Sequence, residues 1–112
     1  MRLLVSVATA VALAVAIAPA SAQSRHRCAD AASTQARKLL TFHAGPDERI
    51  EIDKAVKTLA PMRNPANRLQ RFDVLEVWGR IYKGEYRMRL IYARLPGECV
   101  LMGQEILESA SL

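Results

Sequence analysis

The chain has 112 residues, with 16 basic and 11 acidic side chains and a formal charge of +5. That length supports one modest hydrophobic core and one domain. Its two cysteines and two histidines show no Cys-x-x-Cys and no Cys/His ligand spacing, so neither a redox pair, a metal site nor a cofactor is expected.

Met1-Arg2 gives a short positive start, and Leu3 to Ala18 is apolar apart from Ser6 and Thr9. Ala20-Ser21-Ala22 then supplies the small-x-small pattern of a signal peptidase site. The pattern predicts a signal peptide over residues 1–22, cleaved after Ala22 or, as second choice, after Ala20. The apolar run is too short and too rich in Ala to span a bilayer, so no transmembrane segment is expected after cleavage. Cys28 follows the charged Ser24-Arg25-His26-Arg27 rather than the apolar run, which excludes a lipidated cysteine. Residues 23–112 are therefore read as a single exported domain, periplasmic or secreted. Its basic balance favours anionic partners such as phospholipid headgroups or acidic envelope polymers, while export disfavours nucleic acid. In such a domain Cys28 and Cys99 most simply form one disulfide.

Residues 23–27 read as a short disordered lead-in, with His26 bound to nothing. Ala29 to about Ala44 has a helical pattern, with Ala32, Ala36, Leu39, Leu40 and His43 on one stripe. Asp30 suits the first turn, and Gly45-Pro46 gives a stop. The small residues Ala29, Ala32 and Ala36 let this helix lie close to a sheet. Asp47 to Asp53 predicts a short strand around Ile50 and Ile52, and Ala55 to Leu59 a second one after a turn at Asp53-Lys54. The carboxylates of this region lack calcium-loop spacing. Pro61 to Arg71 reads as an exposed basic loop, a surface of the kind that often carries recognition.

Phe72 to Arg94 holds the one Trp and all three Tyr, and reads as two long strands joined by a two-residue turn at Lys83-Gly84. Counting outward pairs Ile81 with Tyr86, Gly79 with Met88, Val77 with Leu90 and Leu75 with Tyr92. This set forms an almost wholly apolar face. Gly79 marks a spot where another element presses on the sheet. Val74, Glu76, Trp78, Arg80, Arg87, Arg89 and Ile91 fall on the other face. Leu95-Pro96-Gly97-Glu98 predicts a second turn, and Cys99 to Leu107 a third long strand, with Leu101 joining Tyr92 on the helix-covered side.

The fold class is therefore α+β: an N-terminal helix packed on an antiparallel meander of three to five strands, fastened by one disulfide. No nucleophile-elbow motif accompanies the histidines, and His43 at a helix end suits a favourable dipole interaction better than base catalysis. The residue types that suit binding are Trp78 with Arg80, Arg87 and Arg89, helped by Arg63 and Arg68. The alternative for Trp78 is cover by a loop or an early strand, with the arginines lying over it. The leading expectation is a non-enzymatic binding or accessory module for a protein or an anionic envelope component. The alternatives are an assembly protein that pairs an exposed sheet edge and a small hydrolase using His43.

Overall fold

The computed structural model describes residues 2–14 and 25–109. Residues 2–14 are exposed and carry neither helix nor strand; the predicted cleavage positions at Ala20 and Ala22 lie outside the described residues, as does the tail beyond Ser109. Among the described residues no helix is long and apolar enough to cross a membrane. The fold is one helix against a five-stranded antiparallel sheet, with Cys28 bonded to Cys99.

Helix α1, Ala29–Ala44, buries Ala29, Ala32, Ala36, Leu39 and Leu40, the stripe that the sequence spacing predicts. His43 is instead exposed and meets the Tyr86 ring edge-on, with ring centroids 5.9 Å apart. Gly45 ends the helix at φ 86°, where its N–H donates to the Thr41 carbonyl at 2.9 Å. A residue with a Cβ resists that left-handed conformation.

The strands are β1 (Ile50–Thr58), β2 (Met62–Asn64), β3 (Asn67–Ile81), β4 (Gly84–Ala93) and β5 (Leu101–Ser109). Their lateral order is β1-β3-β4-β5, with β2 on the β1 side of β3. The two short strands expected before residue 60 are one strand, because the charged Asp53-Lys54 falls in a bulge between Ile52 and Val56 rather than in a turn. The expected loop from Pro61 to Arg71 is a projecting hairpin arm formed by β2 and the start of β3. Its backbone is organised by asparagine side chains: Asn64 Oδ1 accepts from Ala66 N–H at 2.9 Å, and Asn67 Oδ1 from Leu69 N–H at 3.2 Å.

The β3–β4 hairpin keeps the predicted faces but shifts the pairing by two residues. Ile81 pairs with Gly84, Gly79 with Tyr86, Val77 with Met88 and Leu75 with Leu90, so the loop is Tyr82-Lys83. A two-residue shift preserves every side chain's face, so the hydrophobic alternation is the same for either register. Tyr82 takes φ 53°, and Arg49 and Lys83 lie over its ring at 5.8 and 5.5 Å. Gly84 serves space rather than the turn. A Cβ there would meet Ile81 O and the Tyr86 ring, each at 3.3 Å.

The second turn matches expectation: Leu95 and Glu98 form a bridge around Pro96-Gly97, with Gly97 at φ 76°. Leu101 pairs with Tyr92 and so shares its helix-covered side, as expected, beside a bulge at Met102; the strand starts at Leu101 rather than at the expected Cys99 and runs to Ser109. The core lies between α1 and one face of the sheet, where Leu40, Leu75, Val77, Met88 and Leu90 are fully buried. Gly79 is the point of closest approach. A Cβ there would lie 2.9 Å from Leu40 Cδ2, 3.0 Å from Met88 Cε and 3.1 Å from Ile52 Cδ1.

Of the expected disordered lead-in, the described residues Arg25, His26 and Arg27 are instead tied to the fold. His26 Nδ1 accepts from Cys28 N–H at 3.0 Å, and Nε2 lies 3.1 Å from Asp73 Oδ2. Arg27 donates to the carbonyls of Leu95 and Glu98, and Arg25 pairs with Asp30 at 2.8 Å. These bonds and the disulfide fix the start of α1 to the far end of the sheet.

Candidate functional site

Alternation along β3 and β4 sends Trp78, Arg80, Arg87 and Arg89 to the face opposite α1, and the structure brings all four together there. Trp78 pairs directly with Arg87, which pairs in turn with Leu107 of β5. Trp78 is 36% exposed and Leu107 55%. The indole is therefore neither covered by a loop nor fully free. It is the aromatic end of a short row that crosses three strands, with Arg87 in the middle and Leu107 at the other end.

A charged network frames that row. Trp78 Nε1–H donates to Glu76 Oε1 at 3.1 Å, and Glu76 Oε2 accepts from Arg89 Nε at 3.2 Å. Arg89 also lies 3.8 Å from Glu105 on β5, and Arg80 donates to Asp53 of the β1 bulge at 2.6 Å. Among the described residues Arg87 makes no ion pair. The neighbouring registers add Glu51 opposite Arg80, Lys57 opposite Glu76, and Glu85 opposite Arg80 on the other side. The carboxylates match or exceed the cations here, so the face is not basic. The sequence shows the arginines of this face, but their neutralisation depends on β1 and β5 flanking the hairpin, which strand order decides.

Arg63 and Arg68 are not part of this face. They lie on the β2–β3 arm with Arg71, which sits directly opposite Arg63 across the strands. From Lys54 to Phe72 the chain has five cations and no acid. The register jump after Asn64 displaces residues 68–70, and Leu69 is 96% exposed. Among the described residues Arg63, Arg68 and Arg71 make no ion pair, so the arm carries uncompensated positive charge.

Among the described residues His43 has no hydrogen bond to a carboxylate, and no group of three metal-ligating side chains occurs. His26 and Asp73 make a His–Asp pair that sequence separation concealed, yet both ring nitrogens are engaged. With Nδ1 accepting from the Cys28 N–H, the ring's lone pair is taken in this arrangement. Burial alone would raise the Asp73 carboxyl, but hydrogen bonds from Arg94 at 2.7 Å and from His26 outweigh it and hold it below the usual range. This cluster is a structural clamp.

A groove that the sequence reading missed runs between α1 and the β1 bulge. Its volume is about 900 Å³, and its walls include Ser33, Arg37, Lys38, Phe42, Ile52 and Lys54. Helical spacing along residues 30, 34, 37, 38 and 41 was the available signal, since it defines a second stripe beside the buried one. No family model, curated protein or solved structure matches the chain.

Proposed function

We propose that the protein is an exported, non-enzymatic binding module that engages a protein partner through the sheet face centred on Trp78. The observation that carries this reading is the row Leu107–Arg87–Trp78: a partly exposed Trp beside an Arg that makes no ion pair among the described residues, rimmed by paired charges. Aromatic and Arg anchors inside a polar rim are the composition of protein-binding hot spots. The near balance of charge on this face favours a protein surface over an anionic polymer. The attraction to anionic envelope components expected from the net charge belongs to the arm bearing Arg63, Arg68 and Arg71. Export is supported by the leader pattern of residues 1–22 and by the Cys28–Cys99 bond, which persists in oxidising compartments.

The test begins with the single Trp. Acrylamide should quench its emission readily in the isolated protein, and a captured partner should protect it. Crosslinked capture from an envelope extract, run with wild type, Trp78→Ala and Arg87→Ala, should yield a band that both variants lose. Identical capture by all three would refute the proposal.

A further inference from the structure

The groove beside α1 is produced by two local features. Along the helix, the stripe next to the buried one carries Asp30, Ser33, Thr34, Arg37, Lys38, Thr41 and Phe42, side chains that do not enter the core. Opposite it, β1 advances from Ile52 to Val56 while β3 advances only from Gly79 to Val77. The surplus residues bulge out of the ladder, which bends β1 and opens the space into which the side chain of Ile52 faces.

The groove's electrostatics are unbalanced in a way that the sheet face is not. Of the two acids lining it, Asp30 is engaged by Arg25 at 2.8 Å and Asp53 by Arg80 at 2.6 Å. Among the described residues Lys38 and Lys54 make no ion pair, and Arg37 reaches only the Ile50 carbonyl at 3.4 Å. Three cations therefore border an apolar channel with no acid left to neutralise them. Phe42 stands 87% exposed at its edge, where its ring gives the groove an apolar wall. Ser33 lines the groove, but its hydroxyl is turned away from solvent and, among the described residues, has no hydrogen-bond partner.

We propose that this groove binds a single-chain amphiphile with an anionic head, a carboxylate or a phosphate monoester. The hydrocarbon chain lies over Ile52 and against Phe42, and the head is held at the rim by Lys38, Lys54 and Arg37. The volume is within the range of small-molecule sites. Desolvated apolar contact supplies the affinity, and charge-assisted hydrogen bonds select the head. Trp78 and its face take no part, so this site and the protein-binding proposal fail or stand separately.

The experiment titrates the disulfide-bonded protein, expressed from its full sequence, with dodecanoate, dodecyl phosphate and neutral dodecanol below their aggregation concentrations. Binding is read by calorimetry and by amide shifts in a nitrogen–proton correlation spectrum. At least one anionic probe should bind, with shifts confined to residues 33–42 and 52–54 and the Trp78 indole signal unmoved; comparing the two anions tells carboxylate from phosphate selectivity. Dodecanol should bind about tenfold more weakly, as should the anion to Lys38→Glu/Lys54→Glu. Both lysines are exposed, and the variant's spectrum verifies its fold. Equal affinity for dodecanol, shifts on the sheet face, no loss in the folded variant, or no binding of either anion would each overturn the proposal.

Discussion

Breaking the Cys28–Cys99 bond should remove about 4 kcal/mol of stability. The two residues are 71 apart in sequence, so the bridge closes a loop containing α1 and the first four strands. In the chain-entropy description a loop of that length costs the unfolded ensemble about 15 cal/mol/K, or about 4.4 kcal/mol at 25 °C. For a fold of this size, with an unfolding entropy of about 2 cal/mol/K per residue, such a loss lowers the melting temperature by roughly 20 °C. Two perturbations separate the crosslink from packing. Reduction with a phosphine leaves both sulfurs in place, whereas Cys28→Ala/Cys99→Ala also empties the site of Cys28, which is 1% exposed. Urea unfolding followed by Trp78 emission gives both free energies. The reduced protein should lose about 4 kcal/mol, and the alanine variant about 1 kcal/mol more. A loss below about 1 kcal/mol on reduction would refute the reasoning. It would mean that residual structure in the reduced unfolded chain already keeps the two ends close.

Two further outcomes follow from the packing. Gly79→Ala would ordinarily stabilise a strand, but here the new methyl displaces the ends of Leu40, Met88 and Ile52, so a net loss of about 1–3 kcal/mol is expected in urea unfolding; a gain would show that α1 lifts freely. Asp73→Asn should cost about 1–3 kcal/mol at neutral pH. Because the folded carboxyl lies below its ordinary value of 3.8, the stabilisation is complete above that value and is lost as pH falls through the folded value. The gap between wild type and variant should narrow progressively as pH falls below 3.8, and a constant gap would exclude Asp73 as its source.

The parts of the fold legible in the sequence were those written in periodicity. Helical spacing fixed the buried stripe of α1, and strand alternation separated the Leu75–Val77–Met88–Leu90 face from the Trp78 face. The hairpin register was not legible, because Lys83-Gly84 and Tyr82-Lys83 as loops bury the same side chains. Gly84 looked like a turn residue, yet its missing Cβ makes room for the Tyr86 ring. The arm was hidden because Asn64 and Asn67 organise it through side-chain bonds rather than through apolar alternation. The His26–Asp73 clamp joins residues 47 positions apart, a separation that no local pattern encodes. The Trp78 face was visible in outline, but the carboxylates that neutralise its arginines come from strands whose placement the sequence does not state. The groove depends on a bulge at Asp53-Lys54, which in one dimension resembles a turn.

Both outer strands of the described sheet carry a register irregularity, at Ile52/Val56 in β1 and at Ile91/Tyr92 beside β5. A straight outer strand offers an unbroken row of amide and carbonyl groups on which another chain can template itself, and a kinked one does not. On β5 the kink is confined to one end and leaves Gly103 to Ser109 in regular register with β4. Deleting Met102 would extend that continuous edge, and deleting the surplus residues of β1 would straighten the opposite one.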